Sequence, residues 1–301
     1  MKTGEKIIVV TGANAGIGFA TACALARQGA GLVLVCRDPD RGKAALAAVG
    51  NVAVSPPRLF IADFALQSSV RELSRKLHEQ LPRIDVLINN AGAAFARREL
   101  TADGIEKTFA INHLAPFLLT NLVLDLIRQS SAGRIVNVTA GIPVSRSSFL
   151  ENLQGEKHYS QFNAYRSSKV GNILFTYELA RRLQGTGITV NCVHPGPVRT
   201  EFTRKAGGAL SLMSKIFRPI MRSPEVGART LIYLATDPEV AAVTGGYFVN
   251  CRQKKSARIT YDWTIARKHW RISEELTRSK DDRENMPPAD GVAAIVDTLT
   301  S

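Results

Sequence analysis

The sequence predicts an α/β protein, doubly wound, with a single parallel sheet of about seven strands flanked by helices. Three observations predict it. Short apolar runs alternate with helical stretches along most of the chain. A glycine-rich turn follows the first apolar run. Two long connections, 139–162 and 194–223, follow the fifth and sixth runs. Open α/β sheets bind ligands at such strand ends, and long loops in compact domains are often functional.

Ile7 to Val10 is wholly apolar, as a strand covered on both faces must be. Gly16 to Gln28 reads as a helix closed by Gly29. Leu32 to Cys36 is the second strand, Asp40 to Val49 a helix, and Leu59 to Ala62 the third strand. Gln67 to Gln80 is helical and Ile84 to Ile88 is strand four. A long helical stretch covers Thr108 to Gln129, with a break expected near Pro116. Arg134 to Val138 is strand five, Asn163 to Leu183 a long helix, and Ile188 to Val193 strand six. Pro224 opens a helix that runs to Ala235, and Tyr247 to Val249 is strand seven. The rhythm is that of repeated βαβ units.

Composition bounds the function. With 45% hydrophobic and 22% charged residues in 301, the chain can bury a full core as one domain. No run approaches the ~20 apolar residues of a membrane helix, so only peripheral membrane contact is left open. The four cysteines are scattered without a CxxC or Cys/His cluster, which argues against a metal and for a reducing, cytoplasmic setting. The net charge of +13 is dispersed. Its densest run, Arg252 to Lys255 with Arg258, lacks a nucleic-acid module, so an anionic cofactor or a solvated basic surface fits better.

Thr11-Gly12-Ala13-Asn14-Ala15-Gly16-Ile17-Gly18 joins the first strand to the first helix. Glycines there permit a tight turn, close approach to a pyrophosphate, and close helix packing. The helix amino terminus then meets negative charge. This is the dinucleotide site of a Rossmann fold. Strand two ends in Cys36-Arg37-Asp38, where Arg37 can pair with a ribose 2′-phosphate. The expected cofactor is therefore NADP(H), with Asp38 arguing the other way.

Tyr165 and Lys169 lie four residues apart, on one face of a helix. An ammonium one turn away favours the phenolate, and such a tyrosine can exchange a proton with a carbonyl or alcohol oxygen.

These motifs resemble the short-chain dehydrogenase/reductase family over residues 7–250. Asn152 to Ser160, Ala164-Tyr165, Ser168-Lys169, Phe175 to Ala180 and His194-Pro195-Gly196 resemble its retinol dehydrogenase-like subgroup. The resemblance implies hydride transfer involving a bulky apolar carbonyl, alcohol or enone, commonly with NADP(H). It makes Tyr165 the general acid/base and gives Lys169 the nicotinamide ribose. Asn112 would support a water chain to the lysine. Gly12, Asn14, Gly16, Ile17, Gly18, Asp63, Phe64, Asn90, Ala91 and Gly92 would hold the cofactor, with Pro195, Gly196, Val198 and Thr200 beside the nicotinamide. Thr139, Ala140, Gly141, Phe202, Leu212 and Phe217 would line the substrate. A second copy of the chain is a further expected partner.

One member is missing. Aligned on Asn137-Val138, the serine that bonds the substrate oxygen in the family is Ala140 here. One such donor is worth ~2.7–4 kcal/mol in the transition state. Thr139 is a poor substitute, because neighbouring strand residues face opposite ways. Ser145, Ser147 or Ser148 entering from the loop, an engineered alanine, C=C reduction, a non-redox isomerisation or cyclisation, and a non-catalytic cofactor- or partner-binding role stay open.

Residues 1–255 are expected to form the cofactor-binding domain, with 197–223 covering the substrate, and 256–301 a helical extension and tail. Trp263 and Trp270 are seven apart, spaced to pack a helix on the body. Ala293 to Leu299 is read as a last short helix.

Overall fold

The computed structural model describes residues 5–141, 149–199 and 221–278. Eight strands form one sheet in the order β3-β2-β1-β4-β5-β6-β7-β8. They are β1 (Ile7–Thr11), β2 (Gly31–Cys36), β3 (Arg58–Ile61), β4 (Val86–Asn89), β5 (Arg134–Val138), β6 (Thr189–Val193), β7 (Tyr247–Val249) and β8 (Arg252–Lys254). The first seven pair in parallel. Strand order reverses between β1 and β4, which opens a crevice at their carboxyl ends.

Period-two alternation sends each apolar run to both faces. Ile7 and Val9 pack with α3 (Gln67–Gln80), α5 (Ala115–Leu122) and α7 (Gln161–Arg182). Ile8 and Val10 pack with α1 (Gly16–Arg27), α2 (Pro39–Gly50) and α8 (Pro224–Thr236). A buried polar ladder crosses the first face: Asn89 Nδ2 donates to Asn137 Oδ1 at 2.8 Å, and Asn137 Nδ2 to Thr176 Oγ1 at 2.9 Å. It fixes β4, β5 and α7 relative to one another.

Two expectations need correction. The sheet has an eighth strand, since the basic run at 252–254 pairs antiparallel with β7. Asn250 and Cys251 turn the chain with φ of 52° and 57°, the geometry of a tight hairpin. The run's low hydrophobicity hid it, and exposed Arg252 and Lys254 on an edge strand discourage further pairing. Second, the long helix does not break at Pro116. It runs from α4 (Lys107–Phe109) through a π turn at Ala110–Leu114 into α5, and breaks at Val123 before α6 (Leu124–Arg128). Pro116 cannot donate to the Asn112 carbonyl four residues back, and that carbonyl accepts from Asn172 Nδ2 instead, so the helix passes the proline without breaking.

The extension is built into the body. Asp262 caps α9 (Trp263–Thr277) by accepting from Thr264 N and Ile265 N. Trp270 is 4% exposed and meets Phe117 at 4.9 Å, Phe175 at 5.8 Å and the Arg182 guanidinium at 4.0 Å. Gln67 Nε2 donates to Leu276 O at 2.7 Å. Trp263, at the first turn, is 49% exposed. The expected helix at 293–299 lies outside the described residues. Trp270→Ala should therefore cost about 3–5 kcal/mol in urea unfolding, whereas Trp263→Ala should stay within about 0.5 kcal/mol. Equal losses would contradict this docking.

Candidate active site

The glycine turn folds against the loop after β4. Gly12 and Gly16 have φ of 66° and 56°, open to glycine without strain. A Cβ on Gly18 would run into Asn90 Nδ2 and the Gly12 carbonyl. Asn90 Nδ2 donates to Thr11 O at 2.8 Å and to Gly12 O at 3.3 Å. Thr11 Oγ1 accepts from Asn90 N at 2.9 Å and Ala91 N at 3.0 Å. Thus the glycine turn, through Gly12 and Gly18, comes together with Asn90 and Ala91, while Gly92 next to them lies beside Asn112 and Lys169. The first turn of α1 has neither a side-chain cap nor an acidic residue. Its N–H groups are suited to an anion such as a pyrophosphate.

At the end of β2 one oxygen of the Asp38 carboxylate caps the next helix. It accepts from Arg41 N and Asp40 N, each at 3.0 Å, as the cap of α2. Those hydrogen bonds, the Arg41 N–H foremost, hold it below the usual carboxylate range. Arg37 is exposed beside it. Asp63 is held in a turn, accepting from Ala65 N at 2.9 Å while its own N–H donates to Ser69 Oγ. Phe64 packs its ring into the core.

Tyr165 and Lys169 occupy successive turns of α7, with the lysine Nζ 5.8 Å from the tyrosine ring centre. Lys169 is 4% exposed and donates to Val138 O at 3.1 Å. Burial pushes Tyr165 up to about 12 and Lys169 down to about 8. Asn112, in the π turn, grips the loop after β4: its Oδ1 accepts from Ala93 N at 2.7 Å and its Nδ2 donates to Ala93 O at 2.9 Å. The same Nδ2 donates to Ser168 Oγ at 3.0 Å, which joins that loop to α7.

Three residues of this network were not singled out from sequence. Asn172 Nδ2 donates to Asn112 O at 2.9 Å and to Val138 O at 3.3 Å. Its Oδ1 lies 3.0 Å from His113 Nδ1, and His113 Nε2 lies 2.8 Å from Ser273 Oγ on α9. An amide oxygen only accepts, so His113 Nδ1 carries the proton. Burial pushes His113 down to about 4, so the ring is neutral, and Ser273 Oγ stands between its Nε2 and His269 O, to which the hydroxyl donates at 2.9 Å. Asn172 was accessible in principle, one turn beyond Lys169 on the same helix face; Ser273 had no local signal.

β5 delivers Thr139, Ala140 and Gly141 beside the dyad. Thr139 Oγ1 donates to Lys169 O at 2.6 Å, so it ties β5 to α7 and faces away from the role of a substitute donor. Ala140 is 8% exposed. Ser145, Ser147 and Ser148 lie outside the described residues, as do Thr200, Phe202, Leu212 and Phe217. After β6, Gly196 takes φ of 81° behind Pro195. Arg199 N donates to Arg222 O and Arg222 N to Pro197 O, both at 2.9 Å, which joins the stretch after β6 to Arg222. Val198 is buried, and a Cβ on Gly227 would sit 2.8 Å from it and 3.2 Å from Ile17, so this loop abuts the glycine turn.

A nucleotide cradle thus meets a half-buried tyrosine and a buried lysine at the carboxyl ends of the central strands. Among the described residues no cluster could hold a metal ion, and no helix is long and apolar enough to cross a membrane.

Comparison with known proteins agrees with this geometry. The family model described as short chain dehydrogenase matches residues 6–209. Mouse retinol dehydrogenase 14 is 40% identical over 285 residues, covering 90% of this chain and 85% of its own. Human retinol dehydrogenase 13 is 40% identical over 278 residues, covering 90% and 84%. A crystal structure of an uncharacterised protein from Mycobacterium paratuberculosis superposes with a TM-score of 0.70 at 30% identity, covering 90% of this chain and 93% of that one. A Shigella flexneri short chain dehydrogenase complexed with NADP gives 0.63 at 25% identity, covering 82% and 97%. The chain is an oxidoreductase of the short-chain dehydrogenase family, related along nine-tenths of its length to the retinol dehydrogenases.

Proposed function

We propose that this protein is an NADP(H)-dependent reductase of bulky apolar carbonyl compounds, the reverse alcohol oxidation included, with Tyr165 as its general acid/base. The observation that carries the reading is half-buried Tyr165 one helical turn from buried Lys169, with α7 hydrogen-bonded through Asn112 and Asn172 to the loop after β4 that packs on the glycine cradle. When bound, the nicotinamide cofactor supplies or takes the hydride. Gly12, Gly16, Gly18 and the α1 amino terminus would hold its pyrophosphate, with Asn90 fixing that turn. Tyr165 retains its proton at neutral pH and delivers it to the carbonyl oxygen. Lys169, charged below about 8, stabilises the phenolate that this transfer leaves. The retinol dehydrogenases at 40% identity support an apolar, retinoid-like substrate.

Arg37 supports NADP(H) over NAD(H), since its guanidinium can pair with a ribose 2′-phosphate while one oxygen of Asp38 is drawn into capping α2. NADPH should bind more tightly than NADH by about one to two orders of magnitude, as a charge-assisted contact contributes ~1.5–3 kcal/mol. Arg37→Ala should erase most of that difference in a fluorescence titration. Equal affinities in the parent would remove the assignment.

The pH dependence has a definite sign. Lys169 sits below its ordinary value, so its charge is present below about 8 and lost above it. Carbonyl reduction should then be flat near neutrality and fall above about pH 8. Lys169→Ala should lose that limb together with most of the rate and weaken cofactor binding, whereas Tyr165→Phe should abolish turnover and leave NADPH binding nearly intact. Parent-like rates for Tyr165→Phe would refute the assigned acid.

Ala140 favours a second reading, in which the enzyme reduces a conjugated C=C bond or catalyses a non-redox rearrangement needing less help at oxygen. Rates on a matched panel of ketones, aldehydes and enones separate the two.

A further inference from the structure

The end of β5 is a strip between two elements. On one side α7 brings Lys169, bonded to Val138 O and accepting Thr139 Oγ1 on its carbonyl. On the other side β6 pairs in register, Val138 opposite Val193, with Thr139 N donating to Val193 O at 2.8 Å. His194 is therefore the neighbour of Thr139, on the same face of the sheet as α7. On β7, Tyr247 pairs with Cys192 and shares that face.

Both side chains converge on residue 141. A Cβ built on Gly141 would lie 2.9 Å from His194 Cδ2, 3.0 Å from His194 Nε2 and 3.0 Å from Tyr247 Oη. The bare glycine lets the imidazole and the phenol approach the backbone next to Ala140. His194 Nδ1 is buried without a hydrogen-bond partner among the described residues. A buried N–H without a partner is more costly than a bare acceptor, so the proton belongs on Nε2, the nitrogen facing Gly141. Burial first, and then the positive charge of the Arg222 guanidinium lying over Gly196, keep the ring from taking a second proton.

We propose that His194 Nε2–H is the hydrogen-bond donor to the substrate oxygen, doing from β6 what a serine at position 140 would do from β5. This rests on the reading of Tyr165 as the acid. The oxygen then has two donors, the Tyr165 hydroxyl over α7 and the His194 imidazole across the β5 strip. Only Tyr165 transfers its proton; His194 keeps its own and stabilises the charge that builds on oxygen as hydride arrives at carbon.

The test uses the full chain with NADPH and a panel of apolar ketones and aldehydes. His194→Ala should lower kcat/KM by about 10²–10³, the value of one such donor, with NADPH affinity by fluorescence unchanged. His194→Gln, which keeps an N–H, should retain most of the rate. Gly141→Ala, whose methyl would displace the ring, should mimic His194→Ala. Ala140→Ser should rescue the His194→Ala protein strongly and the parent little.

Parent-like rates for His194→Ala would overturn the proposal. So would equal gains from Ala140→Ser in both backgrounds, or a loss that follows Tyr247→Phe in place of His194→Ala. A parent that reduces no carbonyl of the panel overturns it too. Tyr165→Phe tells the two failures apart: if it is inactive while His194→Ala is normal, the general acid stands and only the second donor falls. A variant that no longer binds NADPH has lost its fold, and the Gln and Gly141 variants then decide.

Discussion

A lysine almost wholly inside the protein has to be given hydrogen-bond acceptors, and the rest of the site is arranged around that demand. Burial alone accounts for the lowered proton affinity of Lys169. Its main neutral acceptor is the Val138 carbonyl, the last in β5, which also accepts from Asn172. Carbonyl acceptors hold an ammonium less firmly than a carboxylate would. The lysine therefore stays within reach of neutral pH. Tyr165 feels the opposite push, because burial disfavours its anion. A phenol that holds its proton beside a cation that can offset its loss is an acid poised for use.

That arrangement needs β4, β5 and α7 fixed to within tenths of an ångström, and side-chain amides supply much of the fixing. Asn89 and Asn137 bridge the strands, Asn112 and Asn172 bridge loop to helix, and Asn90 locks the glycine turn. Each asparagine can donate and accept at once, so it can satisfy two backbone or side-chain groups that the open strand ends leave unpaired. The π turn at Ala110–Leu114 belongs to the same design. It carries Asn112, whose carbonyl accepts from Asn172 instead of closing an ordinary helical bond. His113 and Ser273 extend the network to α9, so the extension bears on the site from behind.

Most of the scaffold was legible in the sequence because it is written locally. Runs such as Ile7 to Val10 announce strands covered on both faces, and Gly12, Gly16 and Gly18 mark a turn that no other residue could make. The exact match at Gln67–Gln80 and at Arg134–Val138 reflects strong local periodicity. β8 was not legible, since Arg252-Gln253-Lys254 has no apolar member and pairs only because a hairpin presents it to β7. The π turn gave no sign in the composition of Ala110 to Leu114, although Pro116 lacks the N–H that an ordinary helical bond to the Asn112 carbonyl would need. His113 meets Ser273 across 160 residues, a relation that no local pattern contains. Asp38 carries two local signals at once: an acid before Pro39-Asp40 is also a helix cap, and one oxygen of its carboxylate is used that way.

Position 140 shows how geometry narrows what residue identity leaves open. A hydroxyl was available next door, but Thr139 spends it on the Lys169 carbonyl, at 2.6 Å. That contact holds the helix at the height where Tyr165 and Lys169 work, so the threonine could not turn toward a substrate without loosening the dyad. An alanine at 140 therefore leaves the strip between α7 and β6 without a donor from β5. The strip is narrow: Gly141 carries no side chain, and the ring of His194 and the hydroxyl of Tyr247 fill the space its Cβ would take. A larger residue at 141 would exclude both. Small residues at 140 and 141 thus have one physical consequence, which is to let polar groups from β6 and β7 come within reach of an oxygen poised over β5. The loss at one strand end and the approach from its neighbours are parts of a single change in the shape of the floor.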